Sequence, residues 1–434
     1  MNSMTRRPPV LDGITRPDEP VRNRTIRSGP FGVLDIGSSK ITCMIGRGES
    51  DGRLRCLGFG WQKSRGIKSG GIVDLDEAEK AIRAAVGAAE DQADTRLKSV
   101  LVNLSCGAPE SRLFNVQWPV DGRAVTADDI RRVVREARHR ASADGRAVIH
   151  ALPLSFATDE TAGVTDPRGL FCDILTAQLH VVDAGNTALR TLAACLARCE
   201  LDIAALVSAP LASGLASLVG DERELGATLI DMGGGTTTMA VFSEGQILHT
   251  AQLPVGGHHV TTDIAKGLST SIAHAERLKA LYGNCHGSPD DQRELLPVPL
   301  VGEAEHQIAQ MPRSHLIGCI RPRLEEIFEM VKDRLEMAGL GREGASRVVL
   351  TGGASQLGGV RELASQILER QVRLGRPGPV IGLPDSASGP GFATLVGLLA
   401  FATGDGQTMH DIDFDAERGQ SWFGKIVDFL KNRV

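Results

Sequence analysis

No apolar run in this 434-residue chain reaches the roughly 18–20 residues that a helix needs to cross a bilayer. The nearest, residues 392–403, is too short, and no secretory apolar segment opens the chain, so the protein is expected to be made and kept in the cytosol. There is no CxxC pair and no His cluster at metal-ligand spacing. The eight cysteines (Cys43, Cys56, Cys106, Cys172, Cys195, Cys199, Cys285, Cys319) therefore suggest neither a disulfide framework nor a zinc site, and are expected as reduced, mostly buried thiols. Positive excess is also missing. A net charge of −5 argues against a whole-surface nucleic-acid binder, and no nucleic-acid partner is expected. With 42% hydrophobic and 23% charged residues the composition is that of a globular protein, and the length allows two to four domains.

The two ends differ from the body. Residues 1–30 hold six arginines, three acidic residues and five prolines, too little apolar surface to offset the entropy of ordering, and read as a mobile basic tail. Residues 404–420 carry Asp405, Asp411, Asp413, Asp415 and Glu417 and read as a flexible acidic linker. The final segment, SWFGKIVDFLKNRV (421–434), gathers Trp422, Phe423, Ile426, Val427, Phe429, Leu430 and Val434 on one stripe at 100° per residue, with Lys425, Asp428, Lys431 and Asn432 opposite. This is the pattern of an interfacial amphipathic helix that lies on anionic lipid; the alternative is a terminal helix docked on the protein's own core.

One pattern occurs twice in the body. Residues 31–47, FGVLDIGSSKITCMIGR, read as an apolar strand ending at Asp35, a turn at Gly37, Ser38 and Ser39, and a second β-branched strand. Residues 227–245, ATLIDMGGGTTTMAVFSEG, repeat it with Asp231, Gly233, Gly234, Gly235, Thr236 and Thr237. A turn of Gly, Ser and Thr bares consecutive backbone N–H groups, a donor nest for phosphate oxygens, and two facing turns can clamp a triphosphate from both sides. Asp35 and Asp231 are then placed to hold Mg²⁺ through its waters, and Lys40 to give a point charge to the β- or γ-phosphate. One such turn is a common connector; the duplication is what makes it informative.

A third glycine element, RVVLTGGASQ (347–356), puts Gly352 and Gly353 at a strand-to-helix step, where a planar base can approach the backbone. In HAERLKALYG (274–283), Glu276 and Lys279 share a helical face at a spacing suited to ribose hydroxyls; a plain i,i+3 ion pair is the other reading.

With DIGSSK, DMGGGTTT and VVLTGGAS in that order, the chain resembles the actin, Hsp70 and sugar-kinase superfamily of ATP-binding proteins. GIKSGGIVDLDEAEKAI (66–82), IHALPLSF (149–156), SAPLASGLASL (208–218), PVGGHHVTTDIAKGL (254–268) and the terminal amphipathic segment are similar to the bacterial cell-division family FtsA, over about 31–434. The resemblance implies an α/β, actin-like, two-lobed fold with duplicated RNase H-like subdomains and two insertions. Subdomain 1A would take residues 31–104 and 183–222, 1C residues 105–182, 2A residues 223–256 and 341–388, and 2B residues 257–340. A return helix to 1A would occupy 389–403. Within 1C a helix is expected over 126–140, opened by Thr126 and Asp129; within 2B one is expected over 322–337, with Leu324, Ile327, Phe328, Val331 and Leu335 as its core stripe.

What the resemblance implies of function is an ATP- and Mg²⁺-binding protein that polymerises on the cytoplasmic face of the inner membrane at the division septum. It would tether the ring of the tubulin-like FtsZ by binding the FtsZ C-terminal tail through 2B, and help recruit later division proteins through 1C. Arg321 and Arg323, read as standing at a helix start, are candidate contacts for that tail, or simply solvated arginines. The position that carries a water-orienting Glu or Gln in hydrolytic relatives corresponds to Ala209, so weak or no ATPase activity is expected. The adjacent His258 and His259 are a weaker candidate for a base, since neighbours at a helix start point apart. An ATP-dependent sugar kinase would need a substrate-facing Asp in the first lobe, for which the sequence offers no convincing residue. An Hsp70-type chaperone would need a substrate domain after about residue 400. An MreB-like cell-shape filament lacks this form of 1C.

Overall fold

The computed structural model describes residues 29–49, 51–159, 161–302, 308–341 and 347–403. The expected linker and amphipathic helix, and almost all of the basic tail, lie outside the described residues. Two sheets carry the fold. In the first, the strand order is Asp202–Ser208, Ser99–Leu104, Phe31–Ile36, Lys40–Gly48, Leu54–Lys63 and Val380–Ile381. In the second it is Gln371–Leu374, Arg347–Thr351, Ala227–Met232, Thr237–Ser243 and Gln246–Leu253. Counted along the chain within each lobe, the first five strands stand in the same spatial order, 5-4-1-2-3. The first three are antiparallel and the last two join in parallel. This shared order is the duplication that the two repeated turns foreshadow.

The strands are apolar on both faces because both faces are covered, as parallel pairing demands. Helix Leu75–Ala93 lies on one face of the first sheet, burying Ala78, Ile82, Ala85, Val86 and Ala89. Its N-terminus is capped by Asp74, which accepts from the Asp76 and Glu77 amides. The opposite face meets helix Ala393–Thr403, which crosses helix Ala209–Ser217, and the latter packs on the second sheet. One apolar cluster thus holds Val33 and Met44 of the first lobe with Leu229, Phe242 and Val349 of the second, through Leu211, Leu395 and Leu399. Phe242 is fully buried there, worth about 2–3 kcal/mol relative to exposure. The two helices touch so closely at Gly397 that an added Cβ would stand 1.7 Å from the Ala212 carbonyl oxygen.

Each lobe carries an insertion. The first is a four-stranded antiparallel sheet, in the order Glu110–Pro119, Ile174–Gly185, Arg146–Thr158 and Thr161–Val164, with helix Ala127–Ala141 packed on it. Thr126 and Asp129 form the expected reciprocal cap, and Arg123 forks onto Asp129 at 2.6 Å, holding that carboxyl far below its usual range. The strand Ile174–Gly185 runs through the expected 182/183 boundary without a break. The second insertion comprises helices Gly257–Gly267, Ile272–Tyr282 and Arg313–Met337 with the hairpin Leu295–Pro299/Ile308–Pro312.

Two features differ from the sequence-based expectation. The last helix of the second insertion begins at Arg313, nine residues before Pro322, and passes through the proline. Pro322 lacks the N–H that would bond the Gly318 carbonyl, and Gly318 is exposed, so water can satisfy that oxygen and the break expected of an interior proline does not occur. Arg321 and Arg323 consequently sit mid-helix instead of at its start. Leu324, Ile327, Phe328, Val331 and Leu335 are buried as expected, joined by Leu316, Ile317 and Ile320. Secondly, the chain rejoins the first lobe's sheet at Val380–Ile381, ahead of residue 389, and a two-residue edge strand has no periodicity to read. No described helix is long and apolar enough to cross a membrane.

Candidate functional site

The two repeated turns are built alike. Asp35 pairs with Thr42 across the first hairpin and Asp231 with Thr238 across the second. Each turn closes with one backbone bond: the Gly37 amide donates to the Lys40 carbonyl at 3.0 Å, and the Gly233 amide to the Thr236 carbonyl at 2.9 Å. The turns face one another. A Cβ placed on Gly234 would lie 2.0 Å from Ser39 Oγ, and one on Gly235 2.4 Å from Ser38 Oγ, so the second turn meets the first only because its tip has no side chains. Ser38 Oγ also accepts from the Gly70 amide at 3.2 Å. Thr237 turns inward and donates to the Val255 carbonyl at 2.9 Å, a structural bond.

Behind the turns stand the charged groups. Asp35 is buried and accepts no hydrogen bond from the described residues; burial pushes its carboxyl up to about 7, against the pull of Lys40 and with a further push from Asp231. Burial also raises Asp231, opposed by hydrogen bonds from Ser213 and Thr394 and by Lys40. Lys40 is itself lowered by burial, although both aspartates favour its charge. Its ammonium donates to the Gly391 carbonyl at 2.5 Å and lies 3.7 Å from the centre of the Phe392 ring. The site therefore holds two carboxylates whose negative charge the single lysine does not fully offset. Among the described residues no group of three or more His, Cys, Asp or Glu side chains could enclose a metal. A pair of hard oxygen donors beside a cleft suits a Mg²⁺ that keeps most of its waters.

The third glycine element joins this group. Gly352 has φ +86°, and its missing Cβ would stand 2.3 Å from Asp231 Oδ1, so it lets the strand step pass directly under the carboxylate. Its amide bonds the Pro390 carbonyl at 3.2 Å, which brings the turn carrying Gly391 and Phe392 onto Lys40. Gly353 has nothing on its Cβ side within 4 Å and is the open member of the pair. Glu276 and Lys279 pair with each other at 2.7 Å, and Lys279 further donates to Thr261 Oγ1 at 2.8 Å and to the Gly257 carbonyl at 3.0 Å. Burial pushes the Glu276 carboxyl up, but the bonds from Lys279 and Thr261 outweigh it and hold it below the usual range. The ion pair thus forms, at the edge of the cleft. Arg321 pairs with Glu325 at 2.7 Å, and Arg323 with Asp263 at 2.6 Å and with Glu326, away from the turns. Trp422, Phe423, Lys425, Ile426, Phe429, Leu430 and Lys431 lie outside the described residues.

Several contributors were not singled out as site residues from the sequence. Ser213 and Thr394 reach Asp231 from the two crossing helices, and Gly391 receives Lys40. These are encounters between distant segments with no local signature. His258 and His259 do point apart: His258 Nε2 bonds Ser39 Oγ across the cleft at 2.9 Å, while His259 Nδ1 accepts from the Gly256 amide at 3.1 Å.

The family model described as "Cell division protein FtsA" matches residues 228–397, and that described as "SHS2 domain inserted in FTSA" matches residues 107–183. Among curated proteins, the cell division protein FtsA of Rhizobium meliloti is 43% identical over 425 residues, 93% of this chain and 95% of the relative. The chain belongs to the FtsA family of cell division proteins. The FtsA of Pseudomonas aeruginosa is 35% identical over 389 residues (89% of this chain, 93% of that one), and that of Escherichia coli 33% over 375 residues (85% and 89%). Among solved structures, a PilM-PilN type IV pilus biogenesis complex aligns with a TM-score of 0.62 at 18% identity, covering 86% of this chain and 98% of that one. MreB5 of Spiroplasma citri bound to ADP aligns with a TM-score of 0.53 at 13% identity, covering 88% and 98%. These likenesses establish the actin-like fold. The SHS2 match falls on the four-stranded insertion of the first lobe.

Proposed function

We propose that this member of the FtsA family binds ATP with Mg²⁺ between its two turns, polymerises on the inner membrane at the septum, and tethers the FtsZ ring there. The observation that carries the nucleotide reading is the pair of matching turns set tip to tip, with buried Asp35 and half-buried Asp231 behind them. Ser38, Ser39, Gly234, Gly235 and Thr236 would offer their backbone amides and small side chains to the polyphosphate, while Gly37 and Gly233, whose amides close the turns, would hold the two loops in shape. Lys40 would supply a point charge, and Gly353 the open backbone for the base. Glu276 and Lys279, already paired at the cleft edge, would meet the ribose. The nucleotide, when bound, supplies the polyanion that joins the lobes, and its Mg²⁺ the positive charge that the two carboxylates lack.

Hydrolysis would be slow. Ala209 opens a helix that is buried on nearly every side, and it has no group able to orient water. ATP then acts chiefly as a conformational ligand. The stripe of Trp422, Phe423, Ile426, Phe429 and Leu430, with Lys425 and Lys431, would anchor the chain to anionic lipid reversibly. Alignment in a filament would raise the avidity of successive anchors by about 10²–10⁴. The second insertion would take the FtsZ C-terminal tail and the first would meet later division proteins.

Co-sedimentation of the full chain on anionic vesicles with a peptide from the FtsZ tail, with and without ATP, tests this reading. Peptide and protein should pellet together, more strongly with ATP. Trp422→Glu, or loss of residues 421–434, should release the protein from lipid while nucleotide affinity stays unchanged. Undiminished pelleting of the truncated chain would end the tethering reading, and a chain without affinity for ATP would end the clamp.

A further inference from the structure

His258 is carried by one lobe and bonded to the other. The first amides of helix Gly257–Gly267 are tied to the second turn: Gly257 N donates to the Gly233 carbonyl at 2.9 Å and His258 N to the Gly234 carbonyl at 2.8 Å. The imidazole is thereby fixed beside the Gly234 backbone, its Cε1 and Nε2 3.1 Å from the position a Cβ would take there. From this seat Nε2 reaches across to Ser39 Oγ, 2.9 Å away on the first turn. Ser39 and His258 are both exposed, so the bond lies open at the mouth of the cleft.

The groups that face the ring are Ser39 from the first turn, Lys63 from the end of its sheet, Glu276 and Lys279 from helix Ile272–Tyr282, and His259 beside it. Partial burial between the turns, then repulsion by Lys279, hold the imidazole below its ordinary range, so near neutral pH it is uncharged and shares a single hydrogen with Ser39. The turn tips touch, and an anion cannot come between them while Ser39 and His258 remain bonded.

We propose that His258 is a polyphosphate-binding residue that exchanges Ser39 for a terminal phosphate oxygen when nucleotide enters, so that the contact joining the lobes reports what fills the cleft. This rests on the nucleotide reading given above and adds a sensor to it. Beside a polyanion the balance of charge reverses: the ring takes a proton from solvent, and the imidazolium donates from Nε2 to the phosphate oxygen. Binding therefore consumes a fraction of a proton from the buffer, and a nucleotide with one more phosphate consumes more.

Calorimetric titration of the full chain with ATP and with ADP at pH 7, in buffers of different ionisation heat, reads both quantities. Displacement of a proton from Asp35 is common to both nucleotides, so the difference between them reads His258: wild type should take up more protons with ATP than with ADP. His258→Gln should abolish that excess and weaken ATP roughly tenfold, as expected for one lost charge-assisted bond, while ADP stays within about twofold. Ser39→Ala should keep the excess, since the imidazole remains. Thermal unfolding without nucleotide monitors the fold, and His258→Asn provides a second neutral replacement. If either His258 variant keeps the wild-type excess of proton uptake with ATP and the wild-type ratio of ATP to ADP affinity, the role assigned to His258 is wrong although the clamp survives. If wild type binds neither nucleotide, both readings fall together.

Discussion

His180→Leu should make the protein more stable and flatten its response to acid. His180 lies on the strand Ile174–Gly185 of the first insertion, fully buried, and neither ring nitrogen meets a hydrogen-bond partner among the described residues. Two more imidazoles stand near it: His150, whose Nε2 accepts from the Ser208 amide at 3.0 Å, and His249 of the second lobe, whose Nδ1 contacts Ser111 Oγ at 3.2 Å. Burial, then repulsion from these neighbours, pushes His180 down to about 3, so the folded protein keeps it neutral over most of the acid range. An unfolded chain protonates the same side chain near 6.5. Below that pH the unfolded state binds the extra proton, and stability falls by up to about 1.4 kcal/mol per pH unit until the folded value is reached. Between pH 7 and pH 5 this one residue should therefore cost about 2 kcal/mol. Leucine removes that slope, and at pH 7 it also removes two desolvated nitrogens without partners, a gain of about 1–3 kcal/mol less a smaller loss from imperfect packing. Urea unfolding followed by Trp118, which packs on the insertion's core, in a background lacking Trp61 and Trp422, reads the difference as a midpoint shift of roughly 1 M. Equal midpoints at pH 7, together with an unchanged acid slope in the variant, would refute the reasoning.

Other perturbations have equally definite outcomes. Because burial raises Asp35 to about 7, a proton would compete there with the Mg²⁺ of the proposed complex, and the affinity for Mg-nucleotide should fall by up to about tenfold per pH unit below 7. Asp35→Asn should weaken binding and remove that dependence, as read by titration with a fluorescent ATP analogue from pH 5.5 to 8.5. Gly397→Ala would drive a methyl onto the Ala212 carbonyl, and thermal unfolding should show a loss of about 3 kcal/mol or failure to fold. A small effect would mean that the two helices can separate without cost.

The hairpins were legible because a strand of apolar residues ending in Asp, followed by a Gly-rich turn, is a local pattern, and its recurrence made two lobes the natural reading. The shared strand order of both sheets follows from it. Helix Ala127–Ala141 announced itself through Thr126 and Asp129. The start of Arg313–Met337 did not, since Pro322 has the look of a first-turn residue unless one knows that Gly318 faces water. Within the site, Asp35, Lys40, Asp231 and the turn glycines could be named from their own neighbours in sequence. Ser213, Thr394 and Gly391 could not, because each acts on a residue at least 18 positions away: the crossing of helices Ala209–Ser217 and Ala393–Thr403 brings the first two there, and the bond from the Gly352 amide to the Pro390 carbonyl the third. His258 was visible as a histidine but not as the partner of Ser39, 219 positions away.

The contact at Gly397 works as a pivot pin. With the Gly397 backbone set directly against the Ala212 carbonyl, sliding one helix past the other would bring side chains into collision there, and small rotations are the motion that the contact tolerates. The lobes then behave as scissor blades, and a slight turn at the pin grows into a larger sweep at the outer ends, where the inserted sheet and the inserted helices ride. Any neighbour gripping those outer ends feels the state of the cleft through leverage alone.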